Sequence, residues 1–382
     1  MTVLVSQRAL FDIPDEIAYF NCAYNAPQLN ESLTRISLGA RSKSHPWQRS
    51  AASFFEDAET IRTLAAELFG ADADGYAIVP AASYGLSTAA RAVEPHLQRG
   101  DRILVIAEEF PSNVLPWQRT AQERGAVVET VPYPTQGDWT SAILQRIERG
   151  VKVVALSTCH WTNGAFIDLT PIGKACRDID AILVVDATQS LGAHPFPLAD
   201  VKPDFLVAAG YKWLLCPYGL SLLYVSEPWR QARPLEESWL ARHNAEDFTG
   251  LVNYSPSYLP GARRFDVGEK CTPTILPGAI AALQQLKAWG IPNIATTLST
   301  INATIASHLQ TLGFEVPALQ QRCAHLLGAK MPPGCTASIV AQLKGQNIFI
   351  SQRGASLRFA PHLHVSENDL QRLLDALTEL GR

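Results

Sequence analysis

Lys212 lies inside an otherwise apolar run, FLVAAGYKWLL. Burial disfavours an ammonium and lowers its pKa, which suits an amine that must form a Schiff base. The competing reading is a lysine at a strand end whose charge reaches water. Asp186 closes a second apolar run, AILVVD. A carboxylate there can hold a protonated ring nitrogen or cap a helix. Gln189, three residues on, brings an amide to the same place. In PAASYG, Ser83 and the backbone amide of Ala82 open a predicted helix, a setting for a phosphate or for an ordinary N-cap. Amine, carboxylate and anion cradle each follow an apolar strand. In open α/β sheets, ligands bind outside those carboxyl ends.

The elements that must position these groups alternate. Strands are predicted at 76–79, 102–107, 127–131, 152–156, 181–185, 205–208 and 220–225. Helices are predicted at 53–69, 84–93, 113–124, 140–149, 171–178 and 279–289. Continuously apolar strands separated by helices predict a parallel sheet covered on both faces. Past residue 290 the pattern changes to a helix over 293–312, strands at 336–343 and 347–351, and a final amphipathic helix over 367–380. The expected organisation is a large cofactor domain over 16–290, with a small α+β domain formed by 291–382 together with 1–15.

With 382 residues and 47% hydrophobic content, the chain can bury a large core. Its net charge of −4 gives no global attraction to nucleic acid or to an anionic membrane. No apolar run is long enough to span a bilayer, and the first ten residues lack a secretory pattern. The seven cysteines are scattered and form no CxxC, so neither a disulfide framework nor a zinc site is predicted, and a cytoplasmic location is expected. His362 and His364 lack a third ligand and are read as structural.

The segments VVDATQSLGA, FLVAAGYKWLL, PYGLSLLYV and SLRFAPHLHVSENDL resemble the class V, fold-type I pyridoxal-phosphate enzymes. That family includes cysteine desulfurases, kynureninases, isopenicillin N epimerase-like proteins, aminotransferases and C–S lyases. The resemblance implies a mainly parallel seven-stranded sheet between helices plus a small α+β C-terminal domain. It also implies pyridoxal 5'-phosphate as cofactor, an α-amino acid substrate, and a homodimer whose active site is shared across the interface. Lys212 would form the internal aldimine, Asp186 would pair with the pyridinium nitrogen, and Gln189 would lie near the ring's phenolic oxygen. Ser83, Ala82 and Tyr211 would meet the phosphate, with Thr272 of the other chain completing that cup and Thr274 and Lys270 as its rivals. Arg358 and Asn163 would hold the substrate carboxylate. Asn25 would line the substrate side or serve as a turn residue before Pro27.

Three departures from the family pattern matter. Phe110 stands where desulfurases carry a ring-stacking histidine, and it cannot exchange protons unless His160 reaches in. The segment 351–358, SQRGASLR, lacks the cysteine that desulfurases carry just before the carboxylate arginine. Cys216 and Cys335 are read as packed thiols. The phosphate serine near the lysine is replaced by Ala209 or Gly210. These departures point to an aminotransferase or a C–S/β-lyase rather than a persulfide-forming desulfurase. The alternatives are an epimerase- or kynureninase-like reaction and, in a different class, a non-catalytic dimer serving as a binding module.

Overall fold

The structure, a computed structural model, describes residues 1–332 and 338–380. Its strands in chain order are β1 (Ala18–Tyr19), β2 (Tyr76–Val79), β3 (Arg102–Ile106), β4 (Val127–Val131), β5 (Val151–Ser157), β6 (Ile182–Asp186), β7 (Phe205–Ala209), β8 (Ser221–Val225), β9 (Leu327–Lys330), β10 (Ile348–Phe349), β11 (Ser351–Arg353) and β12 (Ser356–Phe359). Seven of them form the central sheet in the order β2-β8-β7-β6-β5-β3-β4. Its pairs from β4 across to β7 are parallel, and β8 runs antiparallel to both β7 and β2.

Alternate residues of these strands enter two separate cores, because successive side chains point to opposite faces. Ile103, Val105, Val153 and Val207 pack with the helices Ala82–Val93 and Leu115–Arg124. Leu104, Ile106, Val154 and Leu206 pack with the helices Glu56–Phe69, Leu169–Asp178 and Leu276–Trp289. This two-sided cover is why the strands read as apolar throughout.

A three-stranded antiparallel sheet, β11-β12-β9, and the parallel pair β1-β10 surround a third core. That core takes in the helices Ile291–Thr311 and Glu367–Leu380. The N-terminal segment reaches this part through Thr2 N–H to Asn293 Oδ1 (3.0 Å), Leu4 N–H to Thr297 Oγ1 (2.9 Å) and Gln7 N–H to the Leu363 carbonyl (2.7 Å).

Two expected elements differ. A strand is expected over 336–343, but Ile339–Gly345 is a helix. Its buried residues, Ile339 and Leu343, are one helical turn apart, so one face meets the core and the backbone follows the 3.6-residue period. Thr336 and Ala337 lie outside the described residues, as does Cys335. The helix expected over 140–149 is the shorter Trp139–Leu144, capped by Asp138 accepting from Ser141 N–H (3.0 Å). No helix among the described residues is long and apolar enough to cross a membrane.

Candidate active site

The strand ends converge on one cleft of about 580 Å³. β6 delivers Asp186, and the connection from β7 to β8 delivers Tyr211 and Lys212. The turn after β3 brings Glu109 and Phe110, β5 brings Ser157, and the turn after β5 brings Cys159 and Trp161. The helix Ala82–Val93 points its first turn into the same space through Ala82 and Ser83. Lys212 and Asp186 are each only 6% exposed.

Burial drives the Lys212 pKa down to about 8, with Asp186 opposing and Arg358 and Arg353 adding to the fall. The Lys212 Nζ lies 5.6 Å from the ring centres of Phe110 and of Tyr211. Asp186 Oδ1 accepts from Thr188 N–H (2.9 Å), and the carboxylate lines the cleft. Burial raises the Asp186 pKa, while the Thr188 hydrogen bonds and Lys212 oppose the rise. Gln189 donates to the Ala23 carbonyl (2.9 Å) and accepts from Trp213 Nε1 (3.0 Å), so one amide hydrogen remains for a ligand. Ser83 is not a cap: the N-cap is Ala81, without a side-chain bond, and the Ser83 hydroxyl stands inside the first turn. Two unpaired N–H groups and a hydroxyl at a helix start suit a phosphate.

Phe110 is 37% exposed and meets Trp161 edge to face at 5.4 Å. Tyr211 stacks on Tyr218 at 4.0 Å. Gly210 cannot carry the missing serine, because a Cβ there would lie 2.4 Å from the Leu220 carbonyl oxygen.

Arg358 is 1% exposed, so a surface role is set aside. Its Nε donates to Ser351 Oγ (3.0 Å) and its Nη1 to the Trp161 carbonyl (2.6 Å), while Nη2 is buried without a partner among the described residues. Asn163 Oδ1 accepts from Ala165 N–H (3.0 Å), and the Asn163 backbone abuts Gly328 on β9. Asn25 accepts from Tyr19 Oη through its backbone carbonyl (2.6 Å), as a turn residue does. Arg358, Asn163, Asn25 and Thr272 are not in the cleft wall itself. The Thr272 hydroxyl donates to the Glu269 carbonyl (2.7 Å). Its rival Lys270 is buried against Asp266 at 2.8 Å, a pairing that keeps it from any outside anion.

His160 does not reach in. Its ring stacks on Trp139, with Nε2 at 3.0 Å from the Ala107 carbonyl and Nδ1 at 2.7 Å from Thr162 Oγ1. Cys216 is buried, as a packed thiol is. His362 and His364 are also buried and follow β12 rather than lie on it.

Sequence reasoning missed Glu109. Its Oε1 accepts from Phe110 N–H (2.7 Å), and its Oε2 is buried with no hydrogen-bond partner among the described residues. Burial, and then Asp186, pushes its pKa up to about 7. The Ser157 hydroxyl and the Asn113 amide are buried beside it and oppose that rise. The signal was available: EE directly follows an apolar strand, as Asp186 does. The cleft therefore holds an amine, two buried carboxylates and the start of a helix, which together fit a ring bearing a basic nitrogen, an aldehyde and a phosphate.

The aminotransferase class-V profile matches residues 29–367. A probable cysteine desulfurase of Pyrococcus abyssi is 31% identical over a match spanning 44% of this chain and 42% of that protein. Isopenicillin N epimerase of Amycolatopsis lactamdurans is 23% identical over 100% of this chain and 99% of that protein. Among solved structures, a mutant of C-DES with glycine covalently linked to its pyridoxal-phosphate cofactor superposes with a TM-score of 0.85. It is 21% identical and covers 98% of this chain and 99% of that one. The chain, with the fold, the lysine at the strand end and the matching profile, belongs to the class-V aminotransferase family of pyridoxal-phosphate enzymes.

Proposed function

We propose that the enzyme acts on an α-amino acid as an aminotransferase or a C–S/β-lyase, and not as a desulfurase that carries persulfide on its own cysteine. The observation that carries this reading is the 351–358 hairpin, which ends in Arg358 with a free buried Nη2 and contains no cysteine. A guanidinium edge held by Ser351 and Trp161 is preorganised for a carboxylate.

Pyridoxal phosphate, when bound, supplies an electron sink for the bonds at the substrate α-carbon. Lys212 offers the amine at the cofactor's aldehyde carbon, and its depressed pKa leaves part of it neutral near neutral pH. The same Nζ is placed to take or return a proton at the α-carbon. Asp186, buried in the cleft wall, would pair with the ring nitrogen and keep it protonated. Phe110, whose ring lies 5.6 Å from Lys212 Nζ, does not titrate and would serve only to cover the ring, which leaves Lys212 as the base on which proton traffic relies. The first turn of Ala82–Val93 holds the phosphate with Ser83 and Tyr211. Arg358 would hold the substrate carboxylate and so set the orientation of the amino acid at the α-carbon. We also propose a cytoplasmic homodimer in which Thr272 serves the partner's phosphate. In the proposed division into 16–290 and 291–382 with 1–15, the contacts of residues 2–7 support assigning the N-terminal segment to the smaller part.

The test is a product screen of the holoenzyme with amino acids. Keto-acid release with amino transfer, or pyruvate and ammonia with sulfide from cysteine or with free cysteine persulfide from cystine, supports the reading. A protein-bound persulfide, or α-hydrogen exchange that racemises the substrate without a keto acid, overturns it.

A further inference from the structure

Cys159, Cys323 and His325 come from distant parts of the chain and meet beside the cleft. All three are buried, and their two sulfurs and a ring nitrogen of His325 lie within 4.8 Å of one another. Cys159 follows β5 and also lines the cleft, which gives the cluster an entry path. Cys323 and His325 precede β9, and Cys323 N–H is anchored on the Gly164 carbonyl (2.8 Å).

The histidine is already oriented. Its Nε2 meets the Gln189 carbonyl. A carbonyl only accepts, so Nε2 carries the hydrogen and Nδ1 keeps the lone pair. That Nδ1 is buried and has no hydrogen-bond partner among the described residues. The Cys323 thiol makes long contacts, 4.0 Å to the carbonyls of Thr158 and of Ala165. Soft donors thus converge with an unpaired nitrogen, and a backbone carbonyl holds the far side of the imidazole. That is how metal-binding histidines are supported.

We propose that Cys159, Cys323 and His325 bind a single thiophilic divalent cation of the zinc class, with a fourth position open to the cleft. Two thiolates and a neutral imidazole balance the charge of such an ion, so no net charge is buried. Tetrahedral zinc, with Zn–S of about 2.3 Å and Zn–N of about 2.0 Å, sets its donors roughly 3.3–3.8 Å apart, inside the limit seen here. Because Gln189 also lines the cleft, its carbonyl ties the metal site to the cofactor wall.

The test uses reduced, chelator-treated holoenzyme titrated with Cd²⁺, read by the ultraviolet thiolate-to-metal charge-transfer band. The expected result is one equivalent bound per chain, displaced by Zn²⁺, with the band lost in Cys323→Ser. His325→Asn keeps both thiols and should weaken binding by about 100-fold. Retained cofactor absorbance shows that each variant is folded. No band in the wild type, or an unchanged band in Cys323→Ser, overturns the proposal. So does an intact mass lower by two hydrogens under the same reducing conditions, which would mean that the thiols are joined to each other.

Discussion

The chemistry of the cleft depends on where a few protons sit. Lys212→Ala should give a protein with no visible absorbance from lysine-linked cofactor. In the wild type, cofactor uptake by the apoenzyme should quicken as pH rises through about 8, where the Lys212 amine loses its proton, and level off above it. Glu109 gives a prediction of opposite sign. Its ordinary value is 4.5 and its folded value about 7, so between these the folded state holds a proton that the unfolded chain has lost. Stability of the apoenzyme therefore falls as pH rises across that window. Glu109→Gln removes the dependence and should stabilise the apoenzyme by roughly 1–3 kcal/mol at pH 8, with little change near pH 4.5. Thermal melts at the two pH values check it, and an equal shift at both would contradict it. Lys212 and Asp186 were legible because each interrupts or ends an apolar run. Glu109 was not, because a glutamate after a strand is ordinarily solvated and only the folded chain buries it. The Cys159, Cys323 and His325 group had no local spacing to reveal it, since only the folded chain brings β5 and β9 together.

At the scale of elements, the carboxylate end depends on a close approach. Arg358 on β12 faces Gly328 on β9, and a Cβ at Gly328 would lie 2.2 Å from the Asn163 carbonyl oxygen. Backbone cannot yield as a flexible side chain can, so Gly328→Ala must shift the strand or the 163 loop. We expect a loss of roughly 1–3 kcal/mol in stability. We also expect a KM for the amino acid that rises more than kcat falls, because the arginine moves while Lys212 does not. Steady-state kinetics decide it; a change confined to kcat would refute the positional account. The alternating strands and helices of the large sheet were legible from apolar runs and helix stops such as Gly70, whose φ is +90°. The stretch at 339–345 misled because a short apolar run fits either period. Only packing of Ile339 and Leu343 against the third core decides between them.

For the whole molecule, the proposed sharing of the active site between two chains makes a mixing prediction. Lys212→Ala and Thr272→Val chains, unfolded together and refolded as a mixture, should recover activity that neither has alone. A hybrid dimer contains one site with both Lys212 and Thr272. Activity that stays at the sum of the two separate variants would refute the shared site. The sequence carried little of this scale, because Thr272, Thr274 and Lys270 lie within five residues and nothing in their spacing selects the one that reaches another chain. The connection that carries the lysine has a consequence of its own. It is closed by Gly210 N–H to the Leu220 carbonyl (3.0 Å) and by Cys216 N–H to the Gly210 carbonyl (2.9 Å), and the Tyr211 carbonyl accepts from Ala26 N–H (3.1 Å). Both of its ends run into interior strands of the central sheet. Fraying at the edges leaves that connection in place. The yellow of the holoenzyme should thus persist through every local opening and vanish in step with far-ultraviolet dichroism, so a simple colorimeter would follow the melting of the whole fold.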